Sequence, residues 1–264
     1  MIHSKPFEIL YRHRTLLWQT VKSDIKMRFA GSTMGILWLI FYPLLMLGAY
    51  AAVYIFIFKV KFHLFNSNEY VALIFCGLIP FLGFSEALGM GVGSVVTNAN
   101  LIKNTLFPIE LVPVKAVLTA QCTQVVGMFL LLIVLILMGR WSVWWPLFIL
   151  IWIFQILFSI GLIWILSSIN VFFRDLQNII PVIILILMMV SPIAYTEDMI
   201  PSGLRYLMAL NPLYYLIISY QKVLMLGELP DLSMLAILCF ISIFTFMFGY
   251  WFFSRMKGVF ADNV

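Results

Sequence analysis

Charge is scarce in this sequence: Asp, Glu, Lys and Arg supply 10% of 264 residues, against roughly a quarter in a soluble globular chain. Together with 64% hydrophobic residues, that scarcity excludes a soluble domain and leaves an integral membrane protein. Cysteine is rare as well. Cys76, Cys122 and Cys239 stand in apolar runs, unpaired in spacing and far from any histidine, so neither a disulfide framework nor a metal site is indicated. His3, His13 and His63 are dispersed and lack the HExxH spacing, which leaves a metal-dependent reaction without ligands. A Walker A pattern is missing, so this chain is not read as an ATPase. The N-terminus lacks a short apolar core before a small-residue cleavage site, and no processing is expected there. The net charge of +5 is spread over segments flanking apolar runs, so it reports topology and not nucleic-acid binding.

What remains is a series of apolar runs. A chain of this length holds about six helical spans of about twenty residues each, and they are expected at 34–58, 71–96, 116–138, 144–168, 176–195 and 232–253. The fold class is all-α and integral to the membrane. Residues 1–33 form an arm in which Leu10, Leu17, Val21 and Ile25 recur at helical spacing while Arg12, Arg14, Lys22, Lys26 and Arg28 occupy other faces, the pattern of an interfacial amphipathic helix. Residues 34–253 form the transmembrane domain and 254–264 a tail. An even number of spans puts both termini on one side. That side carries Lys5, Arg12, Arg14, Lys22, Lys26, Arg28, Lys103, Lys115, Arg174, Arg255 and Lys257, against Lys59, Lys61, Arg140, Arg205 and Lys222 opposite, so both termini are expected in the cytoplasm.

The polar interruption with most internal structure is residues 97–115, TNANLIKNTLFPIELVPVK. Thr97 or Asn98 can cap a helix of about two turns that Pro108 stops at Phe107. Leu101, Ile102 and Leu106 would share one side while Lys103 and Asn104 face elsewhere, so the segment can lie at the membrane surface and offer polar groups to a partner; a plain tether between spans is the alternative. A second long segment, 196–231, is too apolar for a loop. Asn211 and Pro212 form a cap and first helical residue, opening a helix to about Leu226 that is too short to span, and a second short helix is expected at 202–210. The pair forms either a re-entrant hairpin or two helices flat on the outer leaflet.

Glu86 is the ionisable residue set deepest in a span, and a carboxylate there must be paired, protonated or wet. A structural or cavity-facing role is favoured over proton coupling, for which the other spans offer no relay. Gly89 and Gly93, four apart, permit either close helix approach or bending. Arg174 and Asp175 border the fifth expected span, as an ion-paired anchor, or as a gate or second contact for a cytoplasmic partner. Trp and Tyr near span ends read as interfacial anchors, whereas Trp38, Tyr42, Tyr50 and Tyr54 lie inside the first span and can present flat faces and hydroxyls to a passing sugar.

In order along the chain stand RFAGSTMGILWLIFYPLLMLGAYAAVYIFIF opening the spans, NxxLIKxxxFPxxxxP at 98–113, NxxFRD at 170–175, SPIxY at 191–195, the Asn211–Pro212 pair and FAD at 260–262. This ordered set resembles the membrane permease of bacterial polysaccharide-exporting ABC transporters, of the O-antigen, capsule or teichoic acid type. The resemblance implies a non-catalytic permease in the bacterial inner membrane, paired with a second copy of itself and docked on two cytoplasmic ATP-binding subunits, which hold the ATP and Mg. This chain would need no cofactor of its own. The cargo would be lipid-linked polysaccharide, among membrane lipids. It further implies ATPase coupling through Leu101, Ile102, Lys103 and Asn104, a cytoplasmic entrance or gate at Arg28, Phe29, Phe173, Arg174 and Asp175, and an outer gate around Asn211. Such permeases often show an Arg after the NP helix, where this chain has Gln221 and Lys222, so no ion pair is carried over to that place. Trp38, Tyr42, Tyr50, Tyr54 and Glu86 are the channel candidates. The rival readings are an ABC permease for a drug or small lipid, an ion-coupled secondary transporter, and a membrane enzyme acting on lipid carriers.

Overall fold

The computed structural model describes residues 6–53, 66–98, 107–195, 203 and 208–263, with backbone alone at 261–263, and every element among them is helical. The arm is α1 (Pro6–Arg12) and α2 (Arg14–Arg28). Gly31 at φ 79° and Gly35 at φ 51° then turn the chain, a left-handed backbone that glycine adopts without strain, into α3 (Trp38–Ala52). After it come α4 (Ser67–Gly91), the short α5 (Ser94–Thr97), α6 (Leu111–Leu137), α7 (Leu147–Phe172), α8 (Leu176–Val190), α9 (Pro212–Gln221) and α10 (Leu232–Asn263).

Among the described residues five helical stretches are long and apolar enough to cross a membrane: Gly35–Ala52, Ser67–Gly91, Leu111–Leu137, Leu147–Phe172 and Leu232–Phe260. The span expected at 176–195 is shorter than the sequence reading had it. Its helix α8 has 15 residues, about 22 Å against a hydrocarbon core of about 30 Å, and stops at Val190. Pro192 is the reason: its ring pushes Ser191 out of the helical region, to ψ 146°. Conversely, the expected start of α6 is too late. Helix begins at Leu111, because Pro113 falls in the first turn where no intrahelical N–H bond is lost, so the last five residues of the 97–115 segment belong to α6. The last helix outruns its expected end at 253 and continues to Asn263. At α4, Asn66 and Glu69 form a reciprocal capping box, an N-x-x-E signal that was open to sequence reading.

Within a membrane, helices associate through close approach and polar contacts more than through apolar burial. The packing of α7 on α10 illustrates the first. A Cβ on Gly161 would run into the Thr245 carbonyl, and one on Gly249 into the Gly161 carbonyl, so the two backbones touch. Gly83 and Gly91 of α4 instead make room for side chains, Gln124 of α6 and Ile163 of α7. Of the two roles open to Gly89 and Gly93, close backbone approach is not seen among the described residues: a Cβ on Gly89 meets none of them within 4 Å, and one on Gly93 meets the Gln177 side chain. Thr97 and Asn98 bond backward to the Gly93 and Ser94 carbonyls, closing α5. The central helix is α4, 83% buried over its most apolar stretch, whereas α3 is 6% buried and stands at the edge.

Candidate functional site

The arm is fixed to the bundle by two ion pairs of opposite sense. Asp24 of α2 accepts from Lys115 of α6 at 2.9 Å, and one turn further on Arg28 pairs with Glu86 of α4. In the turns before them Leu17 and Val21 are buried, so one face of α2 is committed to the bundle. The same end holds a third pair. Lys257 of α10 reaches the buried Glu110 at 2.5 Å, just before α6, and Trp164 Nε1 donates to the Glu110 carbonyl at 2.9 Å. The C-terminal root of the 97–115 segment is thereby held by the arm at Lys115 and by the last helix at Glu110.

Glu86 opens onto a cavity of about 290 Å³ between α3, α4 and α6. Tyr42 from α3, Arg28 from the arm and Thr123 and Gln124 from α6 line it, with Gly83 and Gly127. Among the described residues Oε1 of the Glu86 carboxylate accepts from Arg28 and from Thr123 Oγ1, the latter at 3.5 Å. The carboxylate is therefore paired and cavity-facing. The Arg28 guanidinium also lies 5.7 Å from the centroid of the Phe29 ring.

Beneath the cavity lies a buried node. Gln155 of α7 exchanges two hydrogen bonds with Gln124, at 2.9 and 2.8 Å, donates to the Pro80 carbonyl at 2.9 Å and accepts from Tyr220 Oη at 3.0 Å. One side chain, using both amide hydrogens and its carbonyl oxygen, thus joins α4, α6, α7 and α9. Its polar groups are fully satisfied, as burial demands.

At the far end the chain from Ser191 to Tyr195 is not helical, so its carbonyls need side-chain donors. Gln221 supplies Nε2 to the Pro192 and Ile193 carbonyls at 3.0 and 3.2 Å, and Tyr70 supplies its hydroxyl to Ala194 at 2.6 Å. Asn211 donates to Ser191 Oγ at 3.0 Å while its own Oδ1 caps α9 through the Leu213 N–H, also at 3.0 Å. The SPIxY and Asn211–Pro212 motifs are therefore one structure. Gln221, which stands where an ion pair was not carried over, does its work as a neutral donor, and Lys222 turns away to Asp231 at 2.9 Å. Leu213 to Gln221 are all buried, so α9 is enclosed by protein and does not lie flat on a surface.

The expected site residues divide accordingly. Arg28, Tyr42 and Glu86, assigned from sequence to an entrance and to a channel, line one cavity. Trp38 and Tyr50 do not line it; Trp38 donates to Ser32 Oγ at 3.0 Å, and Tyr50 packs on the core. Phe173, Arg174 and Asp175 are exposed at the α7–α8 corner, where no Arg174–Asp175 ion pair forms among the described residues. The anchor there is Asn170, whose Oδ1 accepts from the Gln177 N–H at 3.2 Å. Leu101, Ile102, Lys103, Asn104 and Tyr54 lie outside the described residues, as does most of the helix expected at 202–210. Among the described residues there is no cluster of three metal-ligating side chains. Sequence reading missed Asp24, Lys115, Gln124, Gln155, Tyr220 and Gln221; three glutamines inside apolar runs, Gln121, Gln124 and Gln155, were the available signal, since each is costly there without a partner.

Residues 15–225 match the family described as ABC-2 type transporter. Over 258 residues, 97% of both chains, the sequence is 30% identical to the O-antigen export system permease protein RfbA of Myxococcus xanthus. It is 32% identical to a protein of the same name from Klebsiella pneumoniae over 94% of both chains. Similarity also extends to the polysialic acid transport protein KpsM of Escherichia coli, 25% identical over 84% of this chain and 86% of that one.

Proposed function

The chain belongs to the ABC-2 type transporter family, and from that membership we propose that it is the membrane permease of a bacterial polysaccharide exporter, driven by ATP hydrolysis on a separate subunit. The observation that carries this reading is the end-to-end match to O-antigen export permeases, 94–97% of both chains. The cargo is a lipid-linked polysaccharide of the O-antigen kind, moved across the inner membrane. The permease works as a homodimer with two ATP-binding subunits, which hold the ATP and Mg, and both its termini are cytoplasmic.

The division of labour follows from what the chain contains. Every described element is a helix, and most are apolar, which supports placing ATP hydrolysis on a separate subunit. Leu101, Ile102, Lys103 and Asn104 form the contact with the ATPase. Movement there reaches the bundle through the root of the segment, where Lys115 holds the arm and Glu110 holds the last helix. The arm carries Arg28, so the same movement bears on the Arg28–Glu86 pair at the mouth of the cavity. The cavity, with Tyr42, is the inner part of the cargo path, Phe173 to Asp175 belong to the cytoplasmic gate, and the hairpin built on α9 with the clasped Ser191–Tyr195 segment is the outer gate. Coupling of this kind requires the nucleotide states of the ATPase to bind two permease conformations with different affinity.

Purification of the tagged chain from its native host in mild detergent tests the partnership. An ATP-binding subunit in roughly equal amount, with ATP turnover, is the expected result. A chain that neither co-purifies with nor crosslinks to an ATPase in intact membranes contradicts it.

A further inference from the structure

The face of the arm that the bundle does not use has its own chemistry. At about 100° per residue, Leu17, Val21, Asp24 and Arg28 share the inner face, all four in contact with the bundle. Roughly a quarter turn away runs a second stripe of Tyr11, Arg14, Trp18 and Lys22. The α1–α2 junction keeps the helical register, since the His13 N–H bonds to Ile9 and the Leu17 N–H to His13. Tyr11 is 70% exposed and Trp18 51% exposed. Each ring is paired with a cation: Arg14 Cζ lies 4.3 Å from the centroid of Tyr11, and Lys22 Nζ 5.5 Å from that of Trp18. Arg14 and Lys22 have no acidic partner among the described residues.

We infer that this stripe is a binding surface for anionic phospholipid headgroups. Exposed Tyr and Trp on a polar helix sit at headgroup level, where the ring is in the acyl boundary and its polar atom in water. A Lys or Arg beside each ring then meets phosphate oxygens, and the ring pre-orients the cation for them. The two uncompensated charges select an anionic leaflet over a zwitterionic one. The ion pairs on the inner face hold the stripe in place, so lipid binding and the Arg28–Glu86 contact share one rigid helix. This assignment concerns the arm alone and stands whatever the cargo is.

Trp18 is itself the probe. The full chain is reconstituted in nanodiscs of a phosphatidylcholine host containing equal mole fractions of brominated phosphatidylglycerol or brominated phosphatidylcholine, and the Trp18 signal is taken as the difference from W18F. The Trp18 component is expected to be quenched by both lipids, with about a fivefold local preference for phosphatidylglycerol, the equivalent of about 1 kcal/mol for one basic side chain at a surface. R14A/K22A should bring the two lipids to parity with quenching retained, and raising the salt should do the same in the unaltered chain. Equal quenching by the two lipids in the unaltered chain overturns the anionic preference. No quenching by either places Trp18 in water or against protein and overturns the surface altogether.

Discussion

Arg28 of the arm pairs with Glu86 of the central helix, 58 positions away in sequence, at the mouth of the cavity that also holds Tyr42. The pair is half open, with side-chain exposures of 38% and 18%, so it is neither a surface contact nor a sealed one. One turn before it, Asp24 pairs with Lys115 in the opposite sense, which leaves the arm one charge-matched seating on the bundle.

Reversal of either charge should therefore fail and reversal of both should recover. R28E or E86R is expected to cost roughly 1–3 kcal/mol, between the exposed and buried limits for an ion pair, and to depress export. The double variant R28E/E86R should regain most of both. Thermal unfolding in detergent and surface polysaccharide, measured on all four proteins as a cycle, isolate the coupling.

Gln155 makes four hydrogen bonds to three other helices. Q155L strands Gln124 and Tyr220 in the interior and should destabilise the protein by roughly 2–5 kcal/mol. Y220F removes a single hydrogen bond and should cost only about 0.5–1.5 kcal/mol. The ranking can be read from thermal midpoints of the purified proteins.

The glycines offer a contrast between positions that look alike in sequence. G161A drives a methyl into the α10 backbone and should cost about 1–3 kcal/mol or prevent folding. G89A meets open space and should be neutral or slightly stabilising, since alanine favours helix by about 1 kcal/mol. Expression level and thermal midpoint of the two variants decide this.

At the coupling segment, I102E and K103E should leave membrane insertion and thermal stability intact while export falls to near the level of a deletion. Co-purification of the ATP-binding subunit should fall with it. Normal export by both variants would remove these residues from the contact.

The membrane class, the helix order and the ends set by Asn211–Pro212 were legible from sequence, because hydropathy, caps and prolines act locally. The short α8 was legible too, in Pro192, but the apolar run past it masked the signal. Pairings were not. Nothing local tells Asp24 to meet Lys115 or Gln221 to clasp the Pro192 and Ile193 carbonyls, since these contacts form only once distant helices pack. The glycines show the same limit: spacing nominated Gly89 and Gly93, while close approach falls at Gly161 and Gly249, whose partners are on another helix.

The central claim is that this chain carries lipid-linked polysaccharide across the inner membrane. Its most direct test is to delete the gene in its host and fractionate the glycan between the cell surface and the inner leaflet, with and without the chain restored. Loss of surface polysaccharide together with accumulation of the lipid-linked form inside, reversed by the intact chain and not by K103E, is the predicted result. Undiminished surface polysaccharide with no internal accumulation would contradict it.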